Sequence, residues 1–421
     1  MFGIPRKTVR RAIGLAIQTA ALGSLNAPRN IEVTIIPLLT LLTSAPWASR
    51  IASKMTIAGT REMPIMRKSM TPDDTQICRV IDANLNRAAE GLRVVEDYAR
   101  FVLEDAYLTA QSKQLRHELF QVLSKVPSDA LFAARDSRQD VGTTVTAEDE
   151  YRRASAAEIA AASQKRVEQA LRCLEEYLKP KWPELAPQVE QLRYRAYAVA
   201  RAISLTHSTN SRMQGMQLYV LLDGGPTPDA CLVRTEQLIA AGVRLFQLRA
   251  KRLTDRELIE RARELRRVTR SADAVLIVND RPDIARLADA DGVHLGQDEL
   301  SVKDARSIVG PDRLIGVSTH TIEQARQAVL DGASYIGCGP TFPSRTKNFD
   351  RFSGTNFLTQ VADELRVPAF AIGGIGLANV DQVIAAGFSR IAVSSAVAQD
   401  DCAEVAAELL KRVRAAVGDV K

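Results

Sequence analysis

The segment VLIVND at residues 275–280 begins as a buried β-strand and ends in an amide and a carboxylate. Its four apolar residues run directly into Asn279 and Asp280. Burying an unpaired carboxylate is costly, so we expect Asp280 to meet a cation, a hydrogen-bond donor or water. The same pattern, an apolar run that ends in polar residues, recurs through the C-terminal half of the chain and decides the predicted fold.

Eight strand-like runs follow residue 215, and a helix-like segment follows each of them. The runs are MQLYVLLD (216–223), VRLFQLRAK (243–251), AVLIVNDR (274–281), GVHLGQ (292–297), RLIGVSTH (313–320), SYIGCGP (334–340), VPAFAIGGI (367–375) and RIAVSSAV (390–397). Eight β-α units predict a parallel (β/α)8 TIM barrel over 216–421. A doubly wound sheet is the alternative, although it usually has fewer regular units.

The preceding residues, 70–207, have helical periodicity and predict an all-α domain. In the segment 79–106 apolar residues recur at spacings of three and four. Thr146 with Asp149 resembles a capping box and predicts the start of a long helix that ends near Lys179-Pro180. The polar stretch at 208–215 predicts a linker to the barrel.

The charge of the chain is unevenly distributed. The net charge is +6, but residues 1–69 contain ten Lys/Arg and two acidic residues, so the rest of the chain sums to −2. A near-neutral folded part argues against a nucleic-acid partner. We interpret residues 1–69 as a basic extension that is either disordered or untranslated, with an organelle transit peptide as the alternative.

The cysteines and the apolar segments indicate the compartment. The five cysteines are scattered and none forms a C-x-x-C motif, as expected of a cytoplasmic protein without disulfides or a zinc site. The apolar stretch at 33–48 contains two prolines and is too short to span a membrane, so no membrane partner is expected. The sequence leaves a homo-oligomer open.

Polar residues at the ends of the predicted strands indicate a site at the barrel mouth, where the carboxyl ends of the strands meet. Strands 2 to 4 supply Arg249, Lys251 and Asp280, with Asp298 and Glu299 after strand 4. Carboxylates on adjacent strand ends suit Mg²⁺ together with substrate phosphates. A structural ion-pair network without metal is the alternative.

Strands 6 to 8 supply mainly small residues, in GGIG (373–376) and SSAV (394–397), with Arg345 and Lys347 nearby. Small residues let backbone N–H groups approach an anion, and the loops after strands 7 and 8 form the usual phosphate site of barrel enzymes. Close packing of helices on strands is the alternative reason for the glycines. Two anion sites at one mouth predict two phosphorylated substrates.

Seven motifs in order, FQLRAK, IVNDR, ADGVHLGQDE, GVSTH, GPTFPSRTK, AIGGI and AVSSA, resemble those of thiamine phosphate synthases over about 216–418. The resemblance implies an Mg²⁺-dependent transferase. The reaction would join 4-amino-2-methyl-5-(diphosphooxymethyl)pyrimidine to 4-methyl-5-(2-phosphooxyethyl)thiazole, with release of pyrophosphate and thiamine phosphate. No side-chain nucleophile is required, and no convincing Ser-His or Cys-His arrangement is present in the sequence.

The resemblance also implies roles for individual residues. The pyrimidine diphosphate would be bound by the stretch Gln247, Leu248, Arg249, Ala250 and Lys251, by Asn279 and Ser318, and by Lys347 at its diphosphate. Asp280 and Glu299 would hold Mg²⁺, with Asp298 as the alternative second ligand. The thiazole phosphate would be bound by Ser344, Thr346, Gly374, Ser394 and Ser395, and Arg345 belongs to the same substrate-binding stretch. The residues expected to be catalytic are Arg249, Lys251, Ser318 and Lys347.

Three positions depart from the family pattern, and two histidines stay open. Ala250 replaces a usual Glu, Glu299 replaces a usual Asp, and Ser344-Arg345 replaces a Thr-Pro pair. For His294 core packing is as plausible as function, and for His320 a loop role competes with a role at the mouth. A non-catalytic, thiazole-phosphate-binding regulatory barrel and a different phosphate-binding barrel enzyme are the alternative functions.

The helical half has a charged stripe on one predicted helix, formed by Asn86, Glu90, Arg93, Asp97 and Arg100. Such stripes are usually solvated faces or ion-pair seams between helices. The segments IDANLNRAAEGLRVVEDYARF, RDSRQDVGT and KRVEQALRCLEEYLK resemble the helical domain fused to some thiamine phosphate synthases. That resemblance implies a role in supplying the pyrimidine diphosphate; a scaffold or dimerisation module is the alternative.

Overall fold

The computed structural model describes residues 71–135, 152–343 and 352–418. The predicted basic extension, the loop at 136–151 and the segment 344–351 lie outside these ranges. In the helical region, which we define as 72–212, the helices are α1 (Pro72–Phe101), α2 (Ala106–Leu123), α3 (Ser128–Ala134), α4 (Ala156–Leu178) and α5 (Ala186–Arg212).

The helices α1 and α4 form the centre of the helical region. A capping box of Thr71 and Asp74 starts α1. The two helices cross closely at Gly91, where an added Cβ would lie 2.7 Å from Cγ2 of Val167. Helix α4 starts later than predicted: it begins at Ala156, and the hydroxyl of Ser155 accepts a hydrogen bond from the backbone N–H of Glu158 at 3.2 Å. The predicted cap at Thr146 lies outside the described ranges.

The predicted linker at 208–215 is wrong in its first half, because α5 continues through Arg212. Ser, Thr and Asn are weak helix formers, but tertiary contacts hold this turn in the helix. Thr209 is buried, and the side chain of Asn210 donates to the carbonyl of Arg366 in the barrel at 2.8 Å. Met213, which follows the helix, is buried in a cluster inside the barrel. The two regions are therefore joined by an almost continuous helix.

Residues 218–418 form a closed barrel of eight parallel strands, in sequence order. Pairing of Tyr219 with Ala392 joins the first strand to the last and excludes a doubly wound sheet. All eight strands lie within the predicted runs. They are β1 (Leu218–Leu222), β2 (Leu245–Leu248), β3 (Val275–Asn279), β4 (Gly292–Leu295), β5 (Leu314–Thr319), β6 (Tyr335–Cys338), β7 (Ala369–Ile372) and β8 (Ile391–Val393).

Helices follow the strands on the outside of the barrel. They are α6 (Pro228–Ala240), α7 (Asp255–Ser271), α8 (Pro282–Leu287), α9 (Val302–Val309), α10 (Ile322–Asp331), α11 (Gly354–Glu364), α12 (Val380–Ala385) and α13 (Cys402–Gly418). A buried apolar layer separates these helices from the strands. A search of the described ranges found no helix long and apolar enough to cross a membrane.

The helical region contacts the barrel at segments that directly precede strands, which include the last turn of α10. The guanidinium of Arg212 donates to the carbonyl of Asp312, just before β5, at 2.6 Å. The guanidinium of Arg201 donates to the carbonyl of Leu330, before β6, at 2.7 Å. The buried carboxylate of Asp105 accepts from the backbone N–H of Arg366, before β7, at 2.8 Å. The contacts therefore lie at the amino ends of the strands, opposite the mouth.

Candidate active site

The mouth of the barrel contains a cavity of about 230 Å³. Residues from the carboxyl ends of β2, β3, β4, β5, β7 and β8 line it. The lining includes ten of the predicted site residues: Arg249, Lys251, Asn279, Asp280, Asp298, Glu299, Ser318, Gly374, Ser394 and Ser395. The predicted convergence of side chains from distant strands is thus present in the structure.

Asp280 adopts an unusual backbone conformation at the end of β3. Its φ of 60° lies in the left-handed region, which is uncommon for a residue with a side chain and clusters at functional sites. Its backbone N–H donates to the carbonyl of His294 at 2.8 Å, and its carboxylate accepts from the Asn279 amide at 2.5 Å. The turn thereby fixes the direction of the carboxylate.

Neighbouring groups shift the pKa of the Asp280 carboxyl in opposite directions. Burial raises the pKa of its carboxyl, and the negative charge of Glu299 raises it further. The positive charges of Lys251 and Arg249 oppose this shift. A half-buried carboxylate beside a second carboxylate is destabilised, and a divalent cation between them would relieve the repulsion.

The charged groups of the mouth lie near one another without direct ion pairs in the described part of the chain. Among the described residues, no ion pair within 4.0 Å includes Arg249, Lys251, Asp280 or Glu299. The donor set, two carboxylates beside two bases, fits one Mg²⁺ ion with a phosphorylated ligand. No cluster of three or more His, Cys, Asp or Glu side chains suited to a metal occurs in the described ranges. Water and substrate oxygens would complete the coordination of a bound Mg²⁺.

The opposite wall of the mouth is built from small residues. Gly373 and Gly374 have φ values of 103° and 65°. An added Cβ on Gly373 would lie 2.8 Å from Cα of Pro340, and one on Gly374 would collide with the carbonyl of Pro343. The side chain of Asn379 fixes this turn, since it accepts from Gly376 N–H and donates to Gly374 O, both at 2.9 Å. Gly373 and Gly374 are therefore required by the close packing of this turn against the loop after β6, and both line the cavity.

Two residues of the predicted substrate-binding stretch do not present their side chains to the mouth. Leu248 and Ala250 are buried in the layer between the strands and the outer helices, because successive side chains of a strand point to opposite faces. Gln247 points inward but does not line the cavity; its amide donates to the hydroxyl of Tyr219 at 2.5 Å. Ser344, Arg345, Thr346 and Lys347 lie outside the described ranges.

The sequence left a role for His294 open and gave no sign of the tyrosines that lie beneath the mouth. His294 contacts the hydroxyls of Ser318 and Tyr335 through its two ring nitrogens, at 2.9 and 3.2 Å. Burial, with a smaller contribution from the charge of Arg249, lowers the pKa of His294 to about 4. Tyr335 looks like an ordinary strand residue in the sequence, and only the closure of the barrel brings it to His294. His320 and Gln297 also line the cavity.

In the helical region, the charged residues of the predicted stripe are not the ones that link neighbouring segments. Glu90, Arg93, Asp97 and Arg100 of the predicted stripe are exposed on α1. Three ion pairs that link different segments include a buried acid outside the stripe: Asp82 with Arg135 at 2.7 Å, Glu96 with Arg116 at 3.0 Å, and Glu175 with Arg193 at 2.9 Å. An ion-pair seam exists, but other residues form it.

Comparisons with known proteins place these features in a family. A family model described as "Thiamine monophosphate synthase" matches residues 218–397, and one described as "ThiD2 family" matches 79–202. A thiamine-phosphate synthase of Rhodopirellula baltica is 45% identical over 80% of this chain and 93% of its own length. One of Synechocystis is 41% identical over 77% of this chain and 92% of its own length.

A solved structure of thiamine phosphate pyrophosphorylase from Pyrococcus furiosus is 33% identical, with a TM-score of 0.45, and covers 49% of this chain and 100% of that one. The two curated relatives match nearly their whole length, including the helical region. The chain therefore belongs to the thiamine-phosphate synthase family, and it carries a ThiD2-family region before the barrel.

Proposed function

We propose that the barrel joins an aminopyrimidine diphosphate to a thiazole phosphate in an Mg²⁺-dependent reaction that yields thiamine phosphate and pyrophosphate. The supporting observation is that Arg249 and Lys251 face Asp280 and Glu299 in one cavity without direct ion pairs in the described part of the chain. Fully paired charges would indicate a structural network, whereas unpaired ones are available to a metal and a diphosphate.

In this reaction the bond between the pyrimidine methylene and the diphosphate oxygen breaks, and its electron pair leaves with the pyrophosphate. The thiazole ring nitrogen then uses its lone pair to form the new C–N bond. Asp280 and Glu299, or Asp298 in its place, would hold Mg²⁺, which when bound would neutralise charge on the leaving group. The role of Arg249 and Lys251 is to bind the oxygens on which that charge develops.

The second substrate is assigned to the wall of small residues. Its phosphate would accept hydrogen bonds from backbone N–H groups near Gly374 and Ser394 and from the hydroxyl of Ser395, since the hydroxyl of Ser394 donates to the carbonyl of Leu221 at 3.2 Å. Anchoring the phosphate there positions the ring nitrogen toward the pyrimidine methylene, which lowers the entropic part of the barrier. We expect Lys347 and the stretch Ser344 to Thr346 to complete both anion sites.

For the helical region we propose that it supplies the pyrimidine diphosphate by phosphorylating the monophosphate. The support is the ThiD2-family match at 79–202 together with the resemblance of its three motifs. The test is incubation of the full chain with ATP and the pyrimidine monophosphate. Appearance of the diphosphate supports this role, and its absence, with the barrel active on ready substrates, favours a scaffold.

The proposal for the barrel is tested with the purified full chain and the two ready substrates. Thiamine phosphate and pyrophosphate should form in equal amounts. Their formation should stop on addition of EDTA and resume on addition of Mg²⁺. Binding of the thiazole phosphate without turnover would favour the non-catalytic barrel instead. Location in the cytoplasm and a homo-oligomeric state stay predictions.

A further inference from the structure

A chain of five hydrogen-bonding side chains crosses the interior of the barrel and ends at the mouth. We call it the polar chain; its members, in order, are Gln247, Tyr219, Tyr335, His294 and Ser318. Successive polar atoms are separated by 2.5, 2.9, 3.2 and 2.9 Å. The first four residues are buried, whereas Ser318 lines the cavity.

The number of available hydrogens gives the polar chain a direction. The amide nitrogen of Gln247 can only donate, so the hydroxyl of Tyr219 accepts from it. Tyr219 then has one hydrogen to donate, and Tyr335 is its neighbour at 2.9 Å. Tyr335 in turn donates to Nδ1 of His294, which leaves the hydrogen of a neutral imidazole on Nε2.

The last step concerns the hydroxyl of Ser318. Because Nε2 of His294 donates to its oxygen, the hydrogen of Ser318 is not used inside the barrel. It can therefore point into the cavity, where Arg249 and Asp280 also lie. A ligand atom that faces Ser318 then has to be a hydrogen-bond acceptor.

We infer that His294 is a positioning residue that holds Ser318 as a hydrogen-bond donor, and that Ser318 binds a ring nitrogen of the aminopyrimidine and not its exocyclic amino group. The inference rests on the proposed function, since it assigns a group of that substrate to this wall. The reversed direction requires the Gln247 carbonyl to face Tyr219, and Ser318 would then accept a hydrogen from the amino group.

A double-mutant cycle tests whether the polar chain acts through Ser318. We expect Tyr335→Phe to lower kcat/KM for the pyrimidine diphosphate by about tenfold, the usual size of a lost hydrogen bond, and to leave KM for the thiazole phosphate unchanged. In the Ser318→Ala background the same substitution should have no further effect. The inference would be overturned if the two substitutions lowered kcat/KM additively, or if Ser318→Ala left kcat/KM unchanged.

A packing control and a substrate series complete the experiment. Phe370 contacts the rings of both tyrosines without a hydrogen bond, so Phe370→Leu should lower Tm. In the Phe370→Leu background, Ser318→Ala should still lower kcat/KM for the pyrimidine diphosphate as much as it does in the wild type. For one of the pyrimidine substrates in which a ring nitrogen is replaced by C–H, wild type and Ser318→Ala should have equal kcat/KM. If wild type and Ser318→Ala instead have equal kcat/KM for a substrate that lacks the exocyclic amino group, the polar chain runs in the reversed direction and the inference is overturned. An inactive wild type with ready substrates and Mg²⁺ would refute the proposed function itself.

Discussion

The barrel mouth and the helical region both bring charged residues together, but they do so in opposite ways. In the helical region Glu96 and Glu175 are buried, and each is in contact with an arginine from another helix. At the mouth Asp280 and Glu299 lie close to Arg249 and Lys251, yet among the described residues none of the four forms a direct ion pair.

This difference separates structural charges from functional ones. Buried charges that are matched within the protein stabilise a particular arrangement of helices, and removing one partner leaves the other uncompensated. Charges held near each other without pairing lower stability, which is expected where a ligand completes the site. The two regions therefore make opposite predictions for similar substitutions.

The largest effect is expected for Asp280→Asn. Loss of this carboxylate should lower Mg²⁺-dependent turnover by at least about a hundredfold, because it removes a metal ligand. Tm should stay the same or rise, since the substitution also removes the repulsion from Glu299. Steady-state assays at several Mg²⁺ concentrations, with thermal melts of the same samples, measure both. Full turnover in the variant would refute the metal assignment.

A matched pair of arginine substitutions comes next. Arg193→Met should destabilise the chain by about 3 kcal/mol, because it removes the buried partner of Glu175 and leaves only the more exposed Arg172 beside that carboxylate. Turnover of the folded enzyme with ready substrates should not change. Arg249→Met should do the reverse, with little loss of stability and a large loss of kcat/KM for the diphosphate. Equal effects in denaturant unfolding would mean that the two regions do not differ as described.

A smaller effect concerns the pH dependence of stability. The pKa of His294 is lowered to about 4, so below pH 6.5 the unfolded state takes up a proton that the folded state does not. Stability should therefore fall as the pH falls from 6.5 toward 4, by about 2 kcal/mol between pH 6.5 and 5. His294→Gln should remove this component. An unchanged slope in urea titrations of the variant would contradict the assignment.

The smallest expected effect is at the contact between the two regions. Asn210→Ala removes one hydrogen bond to the carbonyl of Arg366 and should cost about 1 kcal/mol. Ser208→Ala, at an exposed position of the same turn, is the control and should cost less. Hydrogen exchange of the last turn of α5 should increase only in the first variant. Equal exchange would show that this turn is held by Met213 instead.

The fold was predictable from the sequence because its signals are local. Each strand is a short apolar run with its own turn residues, and all eight were identified. The same holds for Arg249, Lys251 and Asp280, which follow strands directly. The side chains of Leu248 and Ala250 point away from the mouth, because a strand presents only alternate residues to the mouth, whereas a resemblance covers a whole stretch.

The features that could not be predicted depend on closure of the barrel or on tertiary packing. His294, Tyr219 and Tyr335 are far apart in the sequence, and nothing local indicates that they meet beneath Ser318. The last turn of α5 has the composition of a linker, and tertiary contacts keep it helical, among them those with Arg366, Asp312 and the buried Met213. Such contacts are invisible to periodicity and to motif comparison.

The helical region is attached at the amino ends of the strands, through Asp105, Arg201 and Arg212. The barrel opens at the other end, and among the described residues none from the helical region lines its cavity. A compound made by the helical region would have to diffuse around the molecule before it could react. Any such intermediate would mix with the free pool in bulk solvent, and added unlabelled pyrimidine diphosphate would dilute a label carried by newly made product.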